Sequence, residues 1–258
     1  MTARLSAITL NTFREAVRDR VLYNLVVFVL LLVASAPLFG QISIGLERLI
    51  VVNVGLTSIS IFGVIISIFI GIGLVSKEIE KRTLYTILAR PVRRWEFIAG
   101  KYFGLMLTLA VNTGLMTLGL FIAIFAFARE QAGSNRGLLV AVYFTLLELA
   151  IVTAITLLFS SFSTPIFSAI FSFALFVIGT FAEDLRNFAS IAHGVTKWLV
   201  TGVAYLVPNF AALNVIGQVA HDQHIAGRLI LFNTLYALTY AAATTVAAIM
   251  IFERRNLK

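Results

Sequence analysis

Residues 49–76 read Leu-Ile-Val-Val-Asn-Val-Gly-Leu-Thr-Ser-Ile-Ser-Ile-Phe-Gly-Val-Ile-Ile-Ser-Ile-Phe-Ile-Gly-Ile-Gly-Leu-Val-Ser without one charged side chain. A helix needs roughly 20 residues to cross about 30 Å of hydrocarbon, and this run exceeds that. Four more segments, 21–39, 102–128, 165–182 and 229–252, are also uncharged, and 137–159 carries only Glu148. In lipid each spanning segment must satisfy its own backbone hydrogen bonds, which a helix does internally. The expected fold is an all-α membrane protein with six transmembrane helices, forming a single domain over 1–258. Composition agrees, being 60% hydrophobic and only 12% charged, which excludes a water-soluble domain.

Working outward from these runs, the connections fix orientation. Arg4, Arg14, Arg18 and Arg20 precede the first run; Lys77, Lys81, Arg82, Arg90, Arg93, Arg94 and Lys101 lie between the second and third; Arg254, Arg255 and Lys258 follow the last. The other basic residues, Arg48, Arg129, Arg136, Arg186, Lys197 and Arg228, occupy the alternate connections. The excess of Lys and Arg on one side predicts that both termini and the 77–101 connection are cytoplasmic. The net charge of +8 therefore serves topology and anionic headgroups rather than nucleic acid. With no cysteine, disulfides and thiol chemistry are excluded.

Three stretches need separate treatment. Ala34-Ser35-Ala36 resembles a signal-peptidase site, but the run 21–39 exceeds the roughly 7–15 residues of a signal h-region and is read as a retained span. Residues 198–220 are uncharged too, yet a seventh crossing would carry the basic tail outside. Pro208 divides that stretch into pieces too short to cross, so it is expected as an external re-entrant or interfacial hairpin before span six. Before the first span, Leu5, Ile8, Thr12, Phe13 and Ala16 approximate one helical face, which predicts an amphipathic interfacial helix.

The connection 77–101 holds the densest signal. Thr83 is placed to cap a short helix whose Leu84, Ile87 and Leu88 share one face at i, i+3 and i+4. Pro91 disfavours helix at Arg90 and stops it, and Arg93, Arg94 and Trp95 mark the membrane interface. A short helix with an apolar stripe outside the bilayer is suited to docking on another protein.

Taken with their spacing, Glu78, Glu80, Thr83, Leu84, Leu88, Pro91, Arg94, Gly100, Lys101, Tyr102 and Gly104 resemble a known pattern. So do Thr12-Phe13-Arg14-Glu15-Ala16, Phe159-Ser160-Ser161-Phe162-Ser163-Thr164-Pro165 and Pro208-Asn209-Phe210. The chain resembles the membrane subunits of type-two ABC exporters, especially the permease branch associated with multicopper-enzyme maturation. That resemblance implies a coupling helix at 83–90, docked on a separate ATP-binding subunit through Glu78, Glu80, Thr83, Leu84, Ile87, Leu88, Arg90, Pro91 and Arg94. It implies a second permease copy or paralogue, a bacterial or archaeal cytoplasmic membrane, and export of a substrate. No Gly-x-x-x-x-Gly-Lys-Ser/Thr loop occurs in the sequence, so ATP and Mg are expected in the partner and this chain is not expected to be an enzyme.

Glu148 is the one ionisable residue well inside a span and is the candidate for the substrate path. Its structural reading is a hydrogen bond to a neighbour, with Thr145 as a local partner. An ion-coupled secondary transporter using Glu148 is the alternative reading, and an intramembrane enzyme the more distant one, since His193, His221 and His224 all fall outside the spans. His221, Asp222 and His224 are read as solvated side chains rather than a metal site.

Overall fold

The computed structural model describes residues 2–18, 26–27, 30, 47–80, 93–127, 135–191 and 193–254. Among them the regular structure is helical. Helix α1 spans Thr2–Arg18, α2 Glu47–Glu80, α3 Arg94–Phe127 and α4 Asn135–Phe162. After these come α5 (Pro165–Thr180), α6 (Ala182–Ile191), α7 (Gly194–Leu206), a 3₁₀ turn at Ala211–Leu213, α8 (Ile216–Ala220) and α9 (Gly227–Arg254).

Helices α2, α3, α4 and α9 are long and apolar enough to cross a membrane, matching four of the six expected spans. The run 21–39 lies outside the described residues. The expected span 165–182 falls on α5. Pro165 opens α5 and the helix ends at Thr180, giving about 24 Å at 1.5 Å per residue. It then bends by 61° into α6. Taken as bent pairs, α5 with α6 and α7 with α8 bring the candidate spans to as many as six.

Helix α4 is the centre of the bundle: 78% of its most apolar window is buried, against 22% for α9. Helices α2 and α4 run in the same direction, because Arg48 bonds Asn135, Ser60 bonds Glu148 and Ser67 bonds Thr153 in order along both. Helix α9 follows them, since Tyr143 meets Thr234 near its start and Leu158 and Ile249 pack on one cluster near its end. Helix α3 runs oppositely, with Tyr102 near its start reaching Ala150.

This polarity gives the bundle two ends. Helix α1, the start of α3 and the close of α9 meet at one; Arg48, Asn135 and the 180–227 region form the other. Among the described basic residues, Arg14, Arg93, Arg94, Lys101 and Arg254 stand at the first end, and Arg48, Arg136, Arg186, Lys197 and Arg228 at the second. The division drawn from sequence therefore coincides with the geometry.

The hairpin is built differently from the expectation. Its two arms are α6 and α7, which pack on each other and turn at Gly194, whose φ of +62° is the left-handed conformation that favours glycine. The Pro208 break does interrupt the helix, with a 43° bend between α7 and the elements after it. It returns the chain to the bundle instead of forming the hairpin's tip. Arg186 and Lys197, expected in a connection between spans, lie in α6 and α7.

Candidate functional site

The connection expected to carry coupling leaves α2 at Glu80 and rejoins helix at Arg94. Glu78 and Glu80 fall in the last turn of the α2 backbone. Thr83, Leu84, Ile87, Leu88, Arg90 and Pro91 lie outside the described residues.

The start of α3, where the connection returns, is tightly fixed. The Arg93 N–H donates to Glu96 Oε2 at 3.0 Å, the N3-to-N-cap half of a capping box. Arg94 Nη1 donates to the carbonyls of Glu253 at 2.8 Å and Phe252 at 3.4 Å. A cation is well placed there, because the last carbonyls of a helix lack internal donors and carry the negative end of its dipole. The rings of Phe97 and Phe252 stack with centroids 5.8 Å apart, and Ile98, Ala248 and Phe252 are fully buried around them. Arg94, expected to face the partner, thus also ties α3 to the end of α9.

One turn further along α3, Gly100, Lys101 and Gly104 form the seat of α1. A Cβ on Gly100 would come within 2.5 Å of Ile8, and one on Gly104 within 2.5 Å of Thr12 and 2.8 Å of the Thr9 carbonyl. Only glycine lets the helices approach this closely. Thr12 and Ala16 are buried in the contact, so the predicted face of α1 is the one that packs, and it packs on α3. Lys101 is 2% exposed; its Nζ lies 3.5 Å from Glu15 Oε2 and 5.6 Å from the centre of the Phe97 ring. Two motifs far apart in sequence therefore form one contact. The sequence signal that joins them is a small-x-x-x-small pair flanking a lysine, with a glutamate on the facing amphipathic helix.

At mid-bundle, Glu148 accepts a hydrogen bond from Ser60 Oγ at 3.0 Å. Thr145, the expected local partner, instead donates to the Ala141 carbonyl of its own helix at 3.1 Å, as hydroxyls in apolar helices commonly do. The carboxyl therefore joins α4 to α2, and Ser67 and Thr153 form a second hydroxyl-bearing cross-link on that seam at 2.9 Å.

At the opposite end, Pro208-Asn209-Phe210 closes over α5. The Phe210 N–H bonds the Gly179 carbonyl at 3.1 Å, and its ring lies 5.3 Å from that of Phe176. A Cβ on Gly179 would reach within 2.6 Å of the Pro208 carbonyl. The Asn209 N–H donates to Tyr236 Oη at 2.7 Å, and Asn209 Oδ1 accepts from the Ala212 N–H at 3.2 Å. His221 Nδ1 sits 2.8 Å from the Gly217 carbonyl, and among the described residues no group of three or more His, Asp or Glu side chains is arranged to hold a metal.

Compared with known proteins, residues 6–257 match the model of a family described as ABC-2 family transporter protein. No curated protein is similar enough to the chain to be matched.

Proposed function

As a member of the ABC-2 family of transporter proteins, this chain is the membrane component of an ABC transporter, and we propose that it couples ATP hydrolysis in a separate nucleotide-binding subunit to export of a substrate. ATP and Mg belong to that subunit in this reading, and two permease copies or paralogues form the pathway. Both termini and the 77–101 connection face the cytoplasm of a bacterial or archaeal cell. Within the family, the order of the 78–104 motifs favours the branch associated with multicopper-enzyme maturation.

The observation that carries the coupling role is the anchoring of the start of α3. The connection rejoins the bundle at a helix start held by Glu96, by the α9 carbonyls through Arg94, and by α1 through Gly100, Lys101 and Gly104. A push on the connection would pass to α1 and α9 as rigid neighbours, since a capped and packed helix start has little freedom to absorb it. The docking face is Leu84, Ile87 and Leu88, with Glu78, Glu80, Thr83, Arg90 and Pro91 setting its limits.

Leu88→Asp places a charge on that face. The variant is expected to insert normally yet lose co-purification with the ATP-binding subunit and the stimulation of its hydrolysis. Undiminished stimulation by Leu88→Asp would remove the docking face from this segment.

A further inference from the structure

The end of the bundle remote from α1 holds a cavity of about 460 Å³ between the first turns of α4, helix α8, the 221–226 turn and the start of α9. That volume lies within the roughly 300–1,000 Å³ of small-molecule pockets. Its walls are aliphatic, from Val140, Val219, Ile225 and Ile230, while Arg136, Gln223 and His224 bring polar groups to its lining.

The cavity is built by fixed backbone. The Asp222 N–H bonds the Val219 carbonyl at 3.0 Å, and the Gln223 N–H bonds the Gln218 carbonyl at 2.9 Å. Asp222 takes a left-handed φ of +53°, which turns the chain sharply off α8. Val219 rests against α4, so that a Cβ on Gly137 would meet its Cγ1 at an ordinary 3.5 Å. The backbone that carries Gln223 and His224 is therefore fixed beside the start of α4 before any ligand arrives.

The chemistry of the lining selects the ligand. The exposed Arg136 guanidinium makes no ion pair among the described residues, and its planar fork matches a carboxylate or phosphate in a two-pronged bond. Gln223 and His224 supply further N–H donors. Asp222, the acidic member of the lining, is already engaged within the chain. We propose that this cavity is a binding site for an organic anion with a compact aliphatic body: Arg136 takes the anionic group, His224 and Gln223 complete its hydrogen bonds, and the Val and Ile walls take the aliphatic part. The anion is either a soluble carboxylate or phosphate or the headgroup of an anionic lipid.

The test uses the full chain in nanodiscs of zwitterionic lipid, titrated calorimetrically with hexanoate and with hexanol, empty discs serving as the blank. Hexanoate is expected to bind and hexanol not. Arg136→Gln should weaken hexanoate at least tenfold, in line with the loss of a hydrogen bond to a charged group, while Arg136→Lys, which keeps the charge but not the fork, falls between the two and His224→Ala loses about threefold. Arg136 is exposed, so these variants leave the fold intact. Hexanol binding as tightly as hexanoate, or an Arg136→Gln variant indistinguishable from the parent, would overturn the proposal. A second arm adds anionic lipid to the disc: competition with hexanoate identifies a headgroup as the anion, and lack of competition a soluble one. Binding is read without ATP or any partner, so its failure leaves the transport assignment standing.

Discussion

Glu148 shows what a single polar side chain does inside this bundle. An unpaired charge at mid-span costs about 2.5 kcal/mol or more on insertion scales, and the carboxyl meets Ser60 of α2 at 3.0 Å. Hydrogen bonds between membrane helices average about 0.6 kcal/mol and reach about 1.7, so the link is modest and its removal should be graded. Glu148→Gln keeps hydrogen-bonding reach and should hold stability within about 0.5 kcal/mol of the parent, whereas Glu148→Leu should lose about 1 kcal/mol. Ser60→Ala should then cost nothing further in the Leu background. Unfolding of the parent, the two Glu148 variants, Ser60→Ala and the Ser60→Ala, Glu148→Leu double variant in mixed micelles gives that comparison. A Gln variant as damaged as the Leu variant would mean that the charge itself is needed, and would favour the ion-coupled reading of Glu148.

The amphipathic helix α1 is the element whose packing partner only the structure supplies. Its apolar face suggests a helix lying on lipid, but Ile8, Thr12 and Ala16 are pressed against α3 over Gly100 and Gly104. Gly104 is the tighter point, because the Thr9 carbonyl at 2.8 Å is backbone and cannot rotate away. Gly104→Ala should therefore lift α1 from its seat, at a cost of about 1–3 kcal/mol typical of overpacking. Trypsin cleavage at Arg14 should become faster in that variant, while spans α2 to α4 remain protected. Unchanged protection of Arg14 would show that α1 tolerates the extra carbon and that the close approach is incidental. The same element logic applies to α6 and α7, whose mutual packing leaves Trp198 81% and Leu206 78% exposed; an apolar surface of that kind suits a lipid environment.

Across the whole molecule, helix polarity converts local signals into a topology. Parallel α2, α4 and α9, with α3 packed against them in the opposite sense, place α1 and the close of α9 at one end and the α6–α8 region at the other. The absence of cysteine in the sequence makes this directly testable, because a single introduced thiol is the only one to react. Thiols at 256 and at 198 are expected to be labelled from opposite sides of the membrane by an impermeant reagent, with 256 protected in intact cells. Labelling of both from outside would refute the cytoplasmic placement of the termini and, with it, the docking of an ATP-binding subunit on the 83–90 segment.

The spans at 49–76, 102–128, 137–159 and 229–252, the partition of basic residues and the break at Pro208 were all legible in the sequence. Each is a local sum, of hydropathy over about twenty residues or of charge in one connection, or a local veto by an imino ring. The partners were not legible. Glu148 meets Ser60 rather than Thr145, Arg94 reaches the carbonyls of α9, and Gly100 and Gly104 admit α1 rather than another span. In water an apolar face marks the side that must be buried, so periodicity points toward the core. In lipid both environments are apolar, and helix association rests on close packing and a few hydrogen bonds between residues distant in sequence. Hydropathy therefore decides which segments cross, and only their shapes and polar groups, brought together in the folded chain, decide which of them touch.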